Sequence, residues 1–520
     1  MTSKKNSLVN QPKTKKVIRL VPPDGGWGWM VLLGTAITNI FNQSMLSLFS
    51  LLYGDALEAM GYEIKGAAIV MSTMLFVSNF SGPIAGAIVK LTSTRFVAMT
   101  GACFCTLGIF ISGFSKSIVH LMLTYGLLLG LGLGFIQNST FVAINSYFTS
   151  KKSRAVGLAN VGTGVGQTLM PHLVSYLLGN YGFQGSCLLL SALSLHGIAG
   201  IMLIQPVSMH MKEIEEEVVI DEKLHLLPAN KHKDIVIRKN SIANGLGNKN
   251  RRATEPELPN GEKQNVFDDK ISQSHIELGI HKNKSETNGV NGTKAQEPPM
   301  KTSWHRKFYN LFDLTLLTSP RFLNIIIGTA LAVTSIQNFS MLYPFFLQKT
   351  ADLDKPQTAL CMSAVAIADI MGRLTLPIFQ DKFKIKARWM LIMTCIWLIV
   401  VRQVLAYQSD LVVLLVMSCF YGFGRSMIIV ARNIAISDNC RIDQVPAAVG
   451  LGMLSMGIFV PPVGYLLGWI RDYTDSYIIC ITAQNVLLVM LLVMWIPDML
   501  YLKMKERQRN VKEVELTHIS

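Results

Sequence analysis

The sequence has few charged residues for its length. Only 16% of its 520 residues are Asp, Glu, Lys or Arg, whereas 50% are hydrophobic. Basic residues are missing over long stretches, and none occurs between Arg19 and Lys65. The hydrophobic residues form blocks of about 20, separated by short polar breaks, and such blocks are long enough to cross a bilayer as helices. This pattern argues against an ordinary soluble protein and predicts one that crosses a membrane many times.

The motifs of enzymes and of cofactor-binding proteins are also missing from the sequence. The eight cysteines lie mostly within hydrophobic blocks, and no pair has the spacing of a zinc site or of a secreted disulfide framework. No phosphate-binding loop, His-Glu-x-x-His metal motif or nucleophile elbow occurs. The sequence therefore predicts no enzyme, no ATP-driven pump, no metal site and no cofactor.

Twelve candidate membrane spans form two groups of six, on either side of a long polar segment. The spans cover approximately residues 28–50, 67–89, 96–115, 118–140, 155–178 and 185–205, then 322–344, 357–380, 389–407, 411–433, 447–468 and 477–499. We therefore expect a cytosolic N-terminal segment (1–27), an N-terminal six-helix bundle (28–205), a cytosolic loop (206–320), a C-terminal six-helix bundle (321–499) and a cytosolic tail (500–520). The loop is predicted to be disordered because it has too few hydrophobic residues to fold alone.

The placement of the basic residues predicts the orientation of the chain in the membrane. The net charge of +15 is concentrated in alternate connections, after spans 2, 4 and 8, in the central loop and in the tail, rather than in a nucleic-acid-binding patch. Residues 1–20 are polar and basic, so the first span is expected to act as its own signal. We expect a multi-pass plasma-membrane protein with both termini in the cytoplasm. Its basic loops are expected to latch the cytoplasmic side or to contact anionic lipid.

An internal repeat relates the two groups of spans. Ala155-Val-Gly-Leu158 at the start of span 5 matches Ala448-Val-Gly-Leu451 at the start of span 11, and Gly34-Thr-Ala36 in span 1 matches Gly328-Thr-Ala330 in span 7. Because equivalent spans match in the same order, the two halves have the same orientation. This is the parallel repeat of the major-facilitator fold, whose substrate site lies between the halves near the middle of the membrane. The predicted fold class is an all-α membrane protein of two six-helix repeats.

Charged residues inside the spans are the main candidates for function. Asp369 and Arg373 are four residues apart in span 8 and therefore lie on one face of the helix. Each such group costs about 2.5–3.5 kcal/mol at a helix centre, so residues of this kind usually mark a substrate or ion pathway. The alternative is an internal ion pair that only holds neighbouring helices together. Arg425 and Arg432 share a face of span 10, with Arg425 predicted to lie deeper.

Uncharged polar residues also occur in spans 1, 4, 5 and 7. Hydrogen bonds between helices explain most of them. Asn42 and Asn338 occupy equivalent zones of the two halves and are the better candidates for substrate binding.

Two motifs resemble the signatures of the monocarboxylate transporter family. Asp24-Gly-Gly-Trp-Gly-Trp29 introduces span 1, and Tyr147-Phe148, followed by three basic residues and Ala155-Val-Gly-Leu158, leads into span 5. The resemblance covers nearly everything except the loop and tails. It implies that Arg373 binds the substrate carboxylate, for which a guanidinium offers a forked donor. It also implies that Asp369 takes a proton or exchanges partners during transport.

The chain departs from this family at span 1. Relatives that carry lactate and pyruvate have a Lys deep in this span, where the present sequence reads Ser44-Met-Leu-Ser-Leu48. This departure favours a larger or differently charged substrate. We interpret the motif beginning at Asp24 mainly as conformational, because its tryptophans suit the membrane interface and its glycines allow a turn.

The predicted function is secondary transport of a small monocarboxylate or related organic metabolite, coupled to protons, by alternating access. One alternative is an uncoupled facilitator of amino-acid-, creatine- or carnitine-like solutes. Another is a membrane receptor or channel that does not transport by turnover. The expected partners are a small organic anion or amphoteric metabolite, a proton and the lipid bilayer, with no nucleic acid. The family resemblance also suggests a single-span immunoglobulin-like ancillary subunit.

Overall fold

The described part of the chain is almost entirely helical. The structure is a computed structural model, and it describes residues 14–61, 64–219 and 309–519. The chain divides into two units, one of residues 1–15 and 217–301 and the other of residues 16–216 and 302–520. Every helix described below belongs to the second unit.

The N-terminal half contains the first six predicted spans. Its helices are α1 (Gly28–Phe41), α2 (Phe49–Ala59), α3 (Ile64–Leu91), α4 (Thr94–Ser112), α5 (Ile118–Leu121), α6 (Gly130–Tyr147), α7 (Lys152–Ser194) and α8 (His196–Met202). A 3-10 helix, Gln43–Ser47, joins α1 to α2, and a π-helix, Met122–Leu129, joins α5 to α6.

The C-terminal half contains six long helices, one for each remaining predicted span. They are α9 (Pro320–Lys349), α10 (Lys355–Phe383), α11 (Ala387–Leu405), α12 (Leu411–Ser437), α13 (Val445–Thr474) and α14 (Tyr477–Ile519). Local sequence sets several of their ends. Ser319 caps α9 before a proline at its first position, and the Asp410 carboxylate accepts hydrogen bonds from the first amides of α12.

The twelve predicted spans are present, although three of them, spans 1, 5 and 6, are not separate straight helices. Ten described helical segments are long and apolar enough to cross a membrane, and one of these, Lys152–Met202, has 51 residues. At 1.5 Å per residue it is more than twice as long as one crossing requires. The chain breaks at Gly182, whose φ of 64° favours glycine, so this segment provides spans 5 and 6. Span 1 is the broken helix α1–α2.

The break in span 1 falls at consecutive polar residues, Asn42, Gln43 and Ser44. Such side chains compete with the backbone for hydrogen bonds, which disfavours a continuous helix. The Ser44 hydroxyl donates to the Ile40 carbonyl. The Tyr125 hydroxyl donates to the Met45 carbonyl at 2.8 Å and replaces part of the lost helical bonding. The sequence had predicted an uninterrupted span here.

Two described segments are ordered where we expected loop or tail. Strand β1, Thr14–Val21, pairs with strand β2, Lys212–Val219, which lies at the start of the predicted disordered loop. By composition β1 is basic and β2 is acidic, and opposite charges on neighbouring strands favour pairing. Helix α14 also continues through the predicted tail to Ile519. Residues 1–13 and 220–308, which include most of the predicted loop, lie outside the described residues.

Candidate functional site

A cavity of about 610 Å³ lies between the two six-helix halves. This volume falls within the usual range for small-molecule sites. Both halves contribute polar side chains to its wall, including Asn39, Gln43 and Asn160 from one half and Gln337, Tyr343 and Tyr421 from the other.

The charged pair predicted in span 8 lies at this cavity. Asp369 and Arg373 on α10 are each only 2% exposed, and Arg373 Nη2 lies 2.6 Å from Asp369 Oδ2. Arg425 on α12 approaches the other carboxylate oxygen, with Nη1 3.8 Å from Oδ1. The structure therefore brings together three of the predicted site residues, with one carboxylate between two guanidinium groups.

Arg373 also connects the two halves. Its Nη1 donates a hydrogen bond of 2.6 Å to the backbone carbonyl of Asn160 on α7. Glycines allow α7 to come this close to α10, since a Cβ added to Gly157 would lie 2.6 Å from the Arg373 carbonyl oxygen. The same guanidinium thus contacts an acid of its own helix and the backbone of the opposite half.

The charge of the cavity wall is strongly positive. Arg373, Arg425 and Arg432 belong to the wall, which contains no Asp or Glu among the described residues. Asp369 provides one negative charge beside them. Arg432, in the last turns of α12, contacts the Met456 sulfur at 3.3 Å and also lies in the cavity wall. This arrangement suits an anion, because it leaves more guanidinium groups than carboxylates.

Asn42 and Asn338, the asparagines predicted to bind substrate, lie outside the cavity wall. Asn42 is fully buried and exchanges hydrogen bonds with Ser194 on α7, while Asn338 donates to the Thr334 carbonyl at 2.9 Å. Their neighbours Gln43 and Gln337 lie in the wall instead. Adjacent residues of a helix point in directions about 100° apart. Matching the positions of the two halves in the sequence therefore did not show whether an asparagine or its neighbouring glutamine faces the cavity.

Arg402, which the sequence did not single out, lies on α11 behind the cavity wall. Its side chain is fully buried, and Nη1 donates to the Ser335 hydroxyl at 2.7 Å. The guanidinium carbon lies 4.5 Å from the ring of Phe339 and 5.2 Å from that of Tyr421, a cavity residue. Arg402 therefore supports Tyr421 through cation–π contact. A lone base within predicted span 9 was the signal that could have identified it.

Ion pairs close the cavity on the side of the basic loops. Lys152 Nζ lies 3.0 Å from Asp438 Oδ1, and Arg154 Nε lies 3.6 Å from Asp381 Oδ2. Lys90 pairs with Asp313 at the same side. The first two pairs join the N-terminal half to the C-terminal half, and the third joins α3 to the segment just before α9, so the loops after spans 2 and 4 hold the two halves together here.

Close backbone contact between α3 and α13 tightens this closure. A Cβ added to Gly86 would lie 2.3 Å from the Pro446 carbonyl oxygen, and one added to Gly450 would lie 2.5 Å from the Gly82 carbonyl oxygen. The Asn138 amide also donates to the Pro446 carbonyl at 3.1 Å. The two halves therefore pack without space for larger side chains at this side.

We expect Gly86→Val to open this side of the molecule, because the added side chain cannot fit against Pro446. Ser153, which is 4% exposed at the closed side, provides a reporter as Ser153→Cys. A membrane-impermeant maleimide should label this thiol at least about fivefold faster when Gly86→Val is present. Gly179→Val is the control, since a Cβ there meets nothing within 4 Å. Equal labelling rates of Ser153→Cys with and without Gly86→Val would contradict the proposed closure.

The two motifs that resemble family signatures contact each other directly. The Asp24 carboxylate accepts hydrogen bonds from the backbone and hydroxyl groups of Thr149 and Ser150, at 2.7–3.1 Å. The Trp27 indole donates to the Leu203 carbonyl at 3.2 Å, and a Cβ on Gly28 would lie 3.0 Å from the Phe148 ring. None of these residues lies in the cavity wall. Their contacts favour the conformational interpretation of the first motif.

Asp24 should make a pH-dependent contribution to stability. Burial acts to raise the pKa of Asp24, but the hydrogen bonds from Thr149 and Ser150 outweigh it and hold the pKa below its usual 3.8. The contribution is therefore fully present above pH 3.8 and is lost as the pH falls through the pKa of the folded protein. Asp24→Asn should lower the free energy of unfolding at pH 7 by about 1 kcal/mol. Thermal unfolding of the unmodified chain and of Asp24→Asn at pH 7 and near pH 3 tests this. The difference between their unfolding temperatures should shrink at low pH, and a difference that stays constant would contradict the prediction.

Comparison with known proteins relates the chain to membrane transporters. The family model described as Major Facilitator Superfamily matches residues 32–258 and 325–517. The chain is also similar to a crystal structure of a bacterial homologue of the iron transporter ferroportin in an outward-facing state. That likeness has a TM-score of 0.57 and 12% identity, and it covers 91% of this chain and 99% of the other. It confirms the predicted fold.

Sequence similarity is higher to proteins named monocarboxylate transporters. The chain is 35% identical to monocarboxylate transporter 13 of Rattus norvegicus over 193 residues, which are 37% of this chain and 45% of that protein. It is 32% identical to monocarboxylate transporter 2 of Mus musculus over 187 residues, which are 36% of this chain and 39% of that protein. In both cases the match spans less than half the length of the relative. These similarities confirm the resemblance predicted from the two motifs.

Proposed function

Because the chain belongs to the Major Facilitator Superfamily and is related to the monocarboxylate transporters, we propose that it carries a small organic monocarboxylate across the plasma membrane, coupled to a proton. The observation that carries this proposal is the charge of the central cavity. Arg373, Arg425 and Arg432 line a space of about 610 Å³, and among the described residues Asp369 is the acid that pairs with Arg373 and Arg425. An anion with one carboxylate would complete this site.

The geometry of Arg373 makes it the leading group for the substrate carboxylate. A guanidinium can bind a carboxylate through two parallel hydrogen bonds. One of its nitrogens already bonds to Asp369 and another to the Asn160 carbonyl. Binding of the substrate would therefore replace Asp369 as the acid partner of Arg373, with Arg425 available to the same anion.

Proton coupling follows from this exchange of partners. When Asp369 takes up a proton, it loses its negative charge and releases Arg373, which then binds the substrate carboxylate. A proton and an anion thus enter together, and the net charge of the site is unchanged. When both leave on the other side, Asp369 pairs with Arg373 again. Without such pairing a charge buried at this depth would cost several kcal/mol.

The cavity favours a substrate larger than a three-carbon acid. Its volume exceeds what lactate needs, and span 1 contributes the amide of Gln43 rather than a cation. The aromatic side chains of Tyr343 and Tyr421 line the C-terminal half. We propose a monocarboxylate whose carboxylate binds the arginines and whose remaining part contacts this mixed polar and aromatic wall.

Alternating access would use the closure described above. The ion pairs of Lys152 and Arg154, which join the two halves on the basic-loop side, would hold that side shut. Transport requires these pairs to break while the opposite ends of the helices come together, so that the site opens to one side at a time. The side chains of Asp438 and Arg154 are 42% and 36% exposed, so solvent weakens each pair and allows it to break in every cycle.

Radiolabelled uptake tests the proposal. The intact chain should be expressed in oocytes and given a panel of aliphatic and aromatic monocarboxylates, at external pH 6 and pH 7.5. At least one should accumulate several-fold above control oocytes, faster at pH 6, and preloaded unlabelled substrate should accelerate entry. Uptake restricted to amino-acid-, creatine- or carnitine-like solutes, independent of pH, would overturn the proposal in favour of a facilitator. An absence of acceleration by preloading would favour a channel.

A further inference from the structure

A second cavity, of about 490 Å³, lies at the basic-loop side of the C-terminal half. Its wall is formed by Arg321 at the start of α9, the segment 384–389 between α10 and α11, the end of α12 and residues 499–506 of α14. It shares no residue with the wall of the central cavity. A role for it is therefore separate from the proposed transport site.

The wall of this second cavity carries an excess of positive charge. Five bases belong to it, namely Arg321, Lys384, Lys386, Arg388 and Lys503, with only Asp438 and Glu506 as acids. Both acids are already paired, Asp438 with Lys152 at 3.0 Å and Glu506 with Lys386 at 2.6 Å. Within the described part of the chain, no acid lies within ion-pair distance of Arg321, Lys384 or Lys503, although Arg321 attracts Glu506 from farther away.

Arg388 forms the buried part of this basic wall. It is 4% exposed, and its Nη1 lies 2.7 Å from Asp498 Oδ2. Its Nε and Nη2 are buried and have no hydrogen-bond partner among the described residues. Buried guanidinium donors normally find an acceptor. The described residues provide no acceptor for these donors.

We propose that this cavity binds a phosphate-bearing anion, and that the phosphate belongs to the headgroup of an anionic lipid. Phosphate oxygens would accept hydrogen bonds from Arg388 and neutralise Arg321, Lys384 and Lys503. Basic pockets at the cytoplasmic ends of membrane helices suit such headgroups. Large hydrophobic side chains beside the cavity also indicate the membrane: Phe383, Tyr501 and Met504 are 56–59% exposed. A headgroup seated here would leave its acyl chains against this hydrophobic surface.

Binding measurements on the full chain in nanodiscs test this inference. The variant Arg321→Gln/Lys384→Gln/Lys503→Gln removes three cations that form no ion pair with the described residues, so both acids of the wall keep their partners Lys152 and Lys386. The probe is a short-chain bisphosphorylated phosphatidylinositol added to phosphatidylcholine nanodiscs, with bound lipid counted by native mass spectrometry. We expect the variant to bind this lipid at least tenfold more weakly than the unmodified chain. The unmodified chain should bind it at least tenfold more tightly than phosphatidylcholine.

The matched control removes the same charge from elsewhere on the basic-loop side. Arg95→Gln/Lys151→Gln/Lys382→Gln alters three bases outside the cavity wall and should change the affinity less than twofold. Binding of soluble inositol trisphosphate distinguishes a lipid headgroup from a free phosphate compound as the source of the phosphate. Much weaker binding than the lipid supports a headgroup, whereas equal binding assigns the site to free phosphates and overturns the lipid part of the inference. Equal loss in both triple variants, or no preference over phosphatidylcholine, overturns the site altogether.

Discussion

Replacing Arg373 with alanine should reduce substrate uptake at least about 100-fold. Arg373 is the buried partner of Asp369 and also bonds to the opposite half, and truncating one member of such a pair costs about 2–5 kcal/mol. The variant loses the group that receives the substrate carboxylate and leaves Asp369 facing Arg425 alone. Uptake of the best substrate from the panel, normalised to the amount of protein at the cell surface, measures the effect.

Two further variants separate binding from folding. Arg373→Lys keeps the charge but has no forked donor, so it should restore surface expression while uptake stays at least about tenfold reduced. Arg471→Ala removes an arginine outside the cavity wall that pairs with its neighbour Asp472 and lies over the Tyr477 ring, and it should transport normally. If Arg373→Ala reaches the surface and transports the substrate as the unmodified chain does, the assignment of Arg373 fails.

Replacing Asp369 with asparagine should remove the effect of a proton gradient on uptake. The carboxamide has almost the same shape, but it cannot take up a proton in the transport cycle. Arg373 is then released permanently, so exchange of internal for external substrate should continue while accumulation driven by an inward proton gradient is lost. The ratio of net uptake at pH 6 to that at pH 7.5 should fall from several-fold to about one.

Asp475→Asn is the matched control for this experiment. Asp475 is exposed and has a φ of 48°, a left-handed conformation that asparagine adopts readily. Net uptake by Asp475→Asn should depend on pH as it does in the unmodified chain. Accumulation that still follows the proton gradient in Asp369→Asn would show that another group carries the proton. A lack of pH dependence in the unmodified chain would instead favour the uncoupled facilitator.

The hydrophobic pattern predicted most of the fold correctly. Blocks of about 20 apolar residues predicted the positions of the membrane-spanning helices, because a helix needs about that length to cross a bilayer. The internal repeat predicted two halves with the same orientation. The acid and base at positions 369 and 373 were identified as functional candidates because charge is costly within a span. The break within span 1 was not predicted, since a polar cluster such as Asn42-Gln43-Ser44 is compatible with several local conformations until Tyr125 packs against it.

The composition and order of residues thus determined the membrane character, the two halves and the charged pair. Only the tertiary structure decided which polar side chains face the cavity. It placed Gln43 and Gln337 in the wall instead of Asn42 and Asn338, and it placed Arg432 there as well. It also brought Lys152 beside Asp438 and left Arg388 with buried donors. The physical reason is that hydrophobicity is a property of each residue by itself. The direction in which a side chain points depends instead on the rotation of its helix and on neighbours that are distant in the sequence.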